Sequence, residues 1–257
     1  HLMYMTRCNV QTKQFLQEVV KEYGIEFNTE ALDNDGKTPR QLVELQRANN
    51  AKIGEVVVAT EDKEIVDDVE NNGGRAILTS KNHKTGTDRI FEALNLLNKK
   101  EIDLVMNIQG DEPNIDIEDI KNLELKMREN NSRIGTLAAK IEKKEMYMDE
   151  NVVKVKLKQP FDKNSFPLAE NFMRNIDVLN QTQIFHHIGI YCYEVETLKK
   201  FVMLKQSKNE LENRLEQLRA MDNSININVA LANKSPIGVD TMEDYLAIKK
   251  IMEYKEL

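Results

Sequence analysis

The chain has no tryptophan, two cysteines and few aromatic side chains, 6% of its 257 residues. So sparse an aromatic complement offers no stacking platform for single-stranded nucleic acid. Cys8 and Cys192 stand far apart and supply neither a disulfide framework nor the clustered thiolates of a structural zinc site, so two buried thiols are expected. Positive charge is in deficit, 36 Lys and Arg against 43 Asp and Glu, for a formal net charge of -7. That balance excludes wholesale binding to a nucleic acid backbone, and a polyanionic substrate would need a metal or a few placed cations to offset repulsion. No apolar run approaches the ~18 residues needed to cross a bilayer. The start, His1-Leu2-Met3-Tyr4-Met5, lacks the basic and then apolar regions of a secretory signal, which points to a soluble, cytoplasmic protein. Walker A, Gly-x-Gly-x-x-Gly and Gly-x-Ser-x-Gly patterns are missing, so P-loop, classical dinucleotide and serine-hydrolase chemistry lose their main support.

What is present suits a globular α/β chain, with 40% hydrophobic and 31% charged residues and enough length for a sizeable core. The first fifty residues differ from the rest. Gln14 to Tyr23 has the periodicity of an amphipathic helix, with Phe15, Val19 and Val20 on one face and Gly24 at the C-cap position. Asp33-Asn34-Asp35-Gly36-Lys37-Thr38-Pro39 makes a turn into another helix and resembles the Asp-x-x-Gly-x-Thr-Pro signature of an ankyrin repeat. A calcium loop is rejected, since Ala31 and Leu42 would stand at its first and twelfth ligand positions.

Beyond Ile53, short apolar strands alternate with helices. Strands are expected at 55–59, 76–79 and 103–108, with helices at 61–71 and 87–98 between them, the rhythm of a doubly wound sheet. A mixed extension follows at 136–141, 152–157 and 184–193, and helices at 210–221 and 242–254 complete the pattern. The division expected is residues 1–50 as an atypical helical segment and 51–257 as the main domain.

Candidate chemistry sits at strand ends and helix starts. Asn107-Ile108-Gln109-Gly110-Asp111-Glu112-Pro113 falls where a central strand ends, the place where open parallel sheets bind ligands, and the Asp111 carboxylate suits Mg2+; taken alone, a plain turn at Gly110-Asp111-Glu112-Pro113 explains it equally. Lys84-Thr85-Gly86-Thr87-Asp88-Arg89 opens a helix, whose amides together with the Arg89 guanidinium form a plausible anion or base corner; taken alone, an ordinary capped helix with Arg89 on the solvated face explains it better. In His186-His187-Ile188-Gly189-Ile190-Tyr191, alternation puts His187, Gly189 and Tyr191 on one face, and the adjacent histidines point apart, against a shared zinc site. Leu211, Leu215 and Leu218 form the stripe of a plain amphipathic helix, with Glu212, Glu216 and Arg219 off that stripe. Asp240 precedes a helix, as a cap or as a second metal ligand.

Taken in order, Val-Ala-Thr-Glu-Asp (58–62), Thr-Gly-Thr-Asp-Arg (85–89), Gln-Gly-Asp-Glu-Pro (109–113), Asn-Val-Val-Lys-Val (151–155), His-Ile-Gly-Ile-Tyr (187–191), Leu-Glu-Gln-Leu-Arg (215–219) and Gly-Val-Asp-Thr (238–241) closely resemble the 3-deoxy-manno-octulosonate (KDO) cytidylyltransferases. The resemblance implies an α/β nucleotide-diphospho-sugar transferase fold, Rossmann-like, with a mixed, mostly parallel sheet. It also implies a homodimer that uses CTP and Mg2+ to convert KDO to CMP-KDO and pyrophosphate for lipopolysaccharide biosynthesis. Carried over, Asp111 and Asp240 would hold the metal and act in catalysis. Thr85, Gly86, Arg89 and Gln109 would face the nucleotide. Gln109, His187, Tyr191, Glu216 and Gln217 would line the sugar-acid pocket, and Arg174, in Ala169-x-x-Phe172-x-Arg174, would meet the sugar carboxylate. Two departures are visible: Asn213 stands where many relatives carry an acid, and residues 1–52 lack the family's Pro-x-Arg … Arg-Leu-Pro-x-Lys loop together with the strand that leads into it. Alternative readings are activation of another sugar acid, or an inactive transferase domain that serves as a binding module.

Overall fold

A computed structural model describes residues 2–7, 54–71, 74–99, 101–109, 115–162, 164–176 and 183–235. The ankyrin-like stretch, the expected helices at 14–23 and 242–254 and the boundary at residue 50 all lie outside them. The chain forms two compact units, one of residues 3–100, 107–114 and 236–257, the other of residues 1–2, 101–106 and 115–235.

The first unit follows the expected βαβ rhythm. Strand β2 (Gly54–Thr60) is buried from Val56 onward, as a nearly continuous apolar run requires when both faces are covered. It pairs in parallel with β3 (Ala76–Leu78) in the register Val58↔Ala76, Ala59↔Ile77 and Thr60↔Leu78. The crossover helix α1 (Lys63–Asn71) lays Ile65 and Val69 against Val58 and Ala76. It starts two residues later than the pattern suggests, because β2 runs on to Thr60, whose Oγ1 accepts the Asp62 N–H at 3.2 Å, and the Asp62 carboxylate then caps Glu64 N at 2.9 Å. Helix α2 (Gly86–Leu97) follows, ending at Asn98 in the left-handed region.

One expectation is overturned at the amino end. Residues Leu2–Arg7 form a strand, β1, placed beside β2 in the order β3-β2-β1. The short run Leu2-Met3-Tyr4-Met5 is long enough for a strand, so the backbone of β2 does not lose its neighbour.

The second unit carries a mixed sheet. Its strands are β4 (Leu104–Gln109), of which residues 104–106 belong to this unit, β5 (Ile134–Ala139), β6 (Lys154–Leu157), β7 (Ala169–Met173), β8 (Ile184–Glu194) and β9 (Ile227–Leu231). The order is β4-β8-β5-β9, and β6 pairs with both β7 and β8. β5 is antiparallel to β8 and parallel to β9, while β6 is antiparallel to both its neighbours. Helix α3 (Ile117–Glu129), capped by Asp116, buries Ile120, Leu123 and Met127 over the sheet. The approach to β5 is close enough to need glycine: a Cβ on Gly135 would lie 2.6 Å from Met127 Sδ and 3.0 Å from Leu123 Cδ1. A single turn, α4 (Glu145–Met148), and helix α5 (Val195–Met203) complete the connections up to residue 203.

The single helix expected over 210–221 is two helices, α6 (Lys208–Asn213) and α7 (Gln217–Asp222). Ser207 opens α6 with a capping box to Glu210, and Arg214 ends it with φ 53°. In a continuous helix, residues nine apart would be separated by about 13 Å along the axis. With the break, Glu210 and Arg219 meet in a buried ion pair, Nε to Oε2 at 2.8 Å. Arg219, expected off the buried stripe, is 2% exposed.

Candidate functional site

The nucleotide-side candidates belong to the first unit. Thr85 is the N-cap of α2: its Oγ1 accepts Asp88 N–H at 3.2 Å and its hydroxyl donates to the Asp88 carboxylate at 2.9 Å. Gly86 and Thr87 are buried in the first turn. Arg89, 4% exposed, donates to Thr79 Oγ1 at 2.8 Å and pairs with Glu61. Two of the ordered motifs are therefore one structural feature, since the Glu61 carboxylate directly after β2 neutralises the Arg89 guanidinium in the first turn of α2. This arrangement fixes the helix N-terminus and its amides relative to the strand ends. Nearby, Glu92 receives the Ser80 N–H at 2.8 Å and contacts His83. Burial alone would raise the Glu92 carboxyl, but the His83 and Ser80 hydrogen bonds hold it below its ordinary value.

Gln109 is the last residue of β4, as the strand-end argument requires. Asp111 and Asp240, the carboxylates assigned to Mg2+, lie outside the described residues. Among the described residues no cluster of three or more His, Cys, Asp or Glu is placed to hold a metal ion.

The sugar-acid candidates belong to the second unit, on β8 and the α6–α7 corner. The ladder between β5 and β8 steps from Thr136↔Tyr191 to Leu137↔Ile188, so β8 bulges at Gly189 and Ile190. Thr136 holds the bulge, its Oγ1 lying 2.7 Å from Ile190 O and 3.2 Å from Ile188 O. The extra pair of residues preserves parity, and His187 and Tyr191 remain on one face with ring centroids 5.4 Å apart. Phe172 of β7 meets His187 edge-on at 5.1 Å. Tyr191 stacks on Tyr193 at 5.8 Å, Tyr193 leans on Phe201 of α5 at 6.2 Å, and the Arg219 guanidinium covers the Phe201 ring at 4.8 Å. Arg219 also approaches Glu216 at 3.7 Å. A line of contacts thus joins His187 and Tyr191 on the sheet to Glu216 on the corner, with Gln217 next to it.

Electrostatics set the state of these groups. His187 Nε2 lies 3.1 Å from Thr136 Oγ1. With the hydroxyl proton directed at Ile190 O, the Thr136 lone pair accepts an Nε2–H, which leaves Nδ1 of a neutral ring as an acceptor. Burial, aided by His186, pushes the His187 pKa down to about 3. His186 points the other way, as alternation requires, and its Nδ1 is 2.8 Å from Ser235 Oγ. Burial and the Lys154 charge lower it to about 4. Glu210 is held below the usual carboxylate range: burial would raise it, but Arg219, Gln206 and the Ser207 N–H outweigh that.

Arg174 sits at the end of β7 and donates to three backbone carbonyls, Glu150 O at 3.0 Å, Asn213 O at 3.1 Å and Arg214 O at 3.4 Å. It meets the carbonyl end of α6, where a cation is favoured by unsatisfied C=O groups and the helix dipole. The Asn213 side chain turns back and donates to Asn209 O at 2.9 Å. The structure therefore brings His187 and Tyr191 into ring contact and links them to Glu216. Sequence reasoning missed Thr136 and Arg219. Arg219 had a visible signal, a cation directly after Leu218 of the leucine stripe and nine residues after Glu210.

Comparisons with known proteins give the family and the fold. The cytidylyltransferase family pattern matches residues 43–227. The 3-deoxy-manno-octulosonate cytidylyltransferase of Thermodesulfovibrio yellowstonii is 42% identical over 223 residues, covering 80% of this chain and 85% of its own. That of Bartonella henselae is 36% identical over 208 residues, with the same coverage. Among solved structures, a CMP:2-keto-3-deoxy-manno-octonic acid synthetase complexed with CTP superposes with a TM-score of 0.78 at 28% identity, over 100% of this chain and 98% of that one. A UDP-glucose pyrophosphorylase reaches a TM-score of 0.68 at 11% identity, over 98% of both chains, a likeness of fold alone.

Proposed function

The chain belongs to the cytidylyltransferase family that includes the 3-deoxy-manno-octulosonate enzymes, and from that premise we propose that it transfers CMP from CTP to KDO, giving CMP-KDO and pyrophosphate. The observation that carries the sugar-acid half is the β8 face. There His187 and Tyr191 sit in ring contact and are tied through Tyr193, Phe201 and Arg219 to Glu216. A neutral imidazole with Nδ1 as acceptor, a phenol, a carboxylate and the Gln217 amide match the hydroxyls of a polyhydroxylated acid, with Arg174 as the cation for its carboxylate.

In the reaction, the anomeric hydroxyl oxygen of the sugar acid forms a bond to the α-phosphorus of CTP as the bond from that phosphorus to the β-phosphate oxygen breaks. Pyrophosphate departs, and the hydroxyl proton passes to solvent. Thr85, Gly86, Arg89 and Gln109 orient the nucleotide, with the α2 amides as donors toward anionic oxygen. Asp111 and Asp240 are the hard oxygen donors suited to Mg2+, which when bound neutralises charge on the phosphates. The protein works in the cytoplasm as a homodimer. It lacks a helix long and apolar enough to cross a membrane among the described residues.

The test is pyrophosphate release from CTP and Mg2+ with and without KDO, alongside an Asp111→Asn chain. KDO-dependent release that falls at least ~100-fold in the variant supports the reading. Release driven equally well by a sialic acid moves the substrate to another sugar acid. No release from a protein shown by circular dichroism to be folded defeats the reading as catalysis.

A further inference from the structure

Lys154 is among the largest fully buried side chains of the described residues, 0% exposed in a strand whose neighbours Val155 and Leu157 belong to the core. Its ammonium donates to two backbone carbonyls, Asp149 O at 2.5 Å and Arg174 O at 2.7 Å. A buried ammonium is costly to desolvate, and an apolar side chain of the same length would fill the space at less cost. Burial indeed pulls its pKa down, with Asp149 and Glu150 opposing and Arg174 adding to the fall.

The contacts of Arg174 give this charge a task. Residue 174 accepts from Lys154 through its carbonyl and donates through its guanidinium to Glu150 O, Asn213 O and Arg214 O. Two cations thereby gather four chain segments: the end of α4, the end of β7, the start of β6 and the carbonyl end of α6. Leu215, Glu216 and Gln217 follow directly, after a residue in the left-handed region that fixes their direction. We propose that Lys154 is a positioning residue for the sugar-acid side of the site: its buried ammonium anchors Arg174, and through Arg174 it sets the α6–α7 corner that presents Glu216 and Gln217. Being fully buried, it acts through Arg174 and touches no substrate. The Thr85–Arg89 corner includes none of these groups, so the effect is confined to one substrate. The inference rests on the cytidylyltransferase reading above.

The experiment compares the full chain with Lys154→Met, which keeps length and removes charge, by steady-state kinetics and by hydrogen exchange. The KM for KDO is expected to rise about tenfold or more while the KM for CTP stays within about twofold, because misplaced contacts for one substrate penalise that substrate. Exchange is expected to quicken at 149–152, 174–176 and 213–218 and to stay slow in β5 and β9. Unchanged or equally raised KM values, or exchange that quickens uniformly across β5 and β9, overturn the proposal. Should Lys154→Met fail to fold, Lys154→Gln, which keeps an N–H for one of the two carbonyls, carries the same expectations. If the unaltered chain releases no pyrophosphate, the functional reading fails by itself, and the exchange pattern alone decides for or against the anchoring of the corner.

Discussion

Replacing Arg219 by methionine removes a guanidinium that is 3% exposed from a carboxylate that is 4% exposed, so Glu210 is left charged and buried without its cation. Breaking such a pair from one side costs about 3–5 kcal/mol. Loss of the guanidinium from the Phe201 face adds about 0.5–2 kcal/mol, although a methionine side chain returns part of the packing. At about 2–4 °C per kcal/mol for a chain of this size, the unfolding midpoint should fall by roughly 7–28 °C near neutral pH. The sign of the pH dependence follows from the pair. In the unaltered protein the folded pKa of Glu210 is depressed, so its contribution is present above the ordinary value of 4.5 and is lost as pH falls through the folded value. In Arg219→Met burial acts unopposed by Arg219, Glu210 protonates more readily, and the gap between the two proteins narrows in acid. The assay is thermal unfolding by circular dichroism at a series of pH values for Arg219→Met, Glu210→Leu and the double variant. The double variant should recover most of the loss, since two apolar side chains leave no orphaned charge. A single-variant cost below about 1 kcal/mol, or a double variant as unstable as the sum of the singles, refutes the buried-pair argument.

Gly135→Ala should cost about 1–3 kcal/mol, read as a lower unfolding midpoint, because the new methyl meets Met127 Sδ at 2.6 Å. His186 and His187, with folded pKa values near 4 and 3, should remain neutral in NMR titrations from pH 8 to 5. Since the unfolded chain takes up those protons and the folded chain does not, stability should be fully present above pH ~6.5 and decline as pH falls below it. The Cys192 thiol, buried and pushed up by that burial, should resist iodoacetamide in the native protein at pH 8 and react once denatured, as located by peptide mass spectrometry.

The βαβ rhythm of the first unit and the strands at 134–139, 154–157 and 184–194 were legible because apolar runs of strand length alternate with helical periodicity. Residues 117–129, 169–173, 195–203 and 227–231 carried no element in that reading, and become two helices and two strands. Their patterns are either interrupted by charge, as in Glu124-Leu125-Lys126-Met127-Arg128, or too short to stand alone. The 210–221 helix failed for a different reason: helical periodicity is local, whereas the break at Arg214 is needed by a contact between Glu210 and Arg219. On the site, the shared face of His187 and Tyr191 was legible from alternation, and it survives the bulge only because the bulge adds two residues. That Arg89 lies against Glu61, and that Lys154 is buried, are tertiary facts that no window of neighbours contains.

The Tyr191–Tyr193 stack has an optical consequence. Without tryptophan, the near-ultraviolet spectrum of this protein belongs to its seven tyrosines and eight phenylalanines. Two of those tyrosines lie with planes 23° apart and centroids 5.8 Å apart, close enough for their transitions to couple. Because Tyr191 also touches His187, a sugar acid settling on that imidazole would disturb the coupled pair directly. Under the proposed function, the near-ultraviolet dichroic signal would then serve as a label-free gauge of sugar-acid binding at the β8 face, built from the chain's own chromophores.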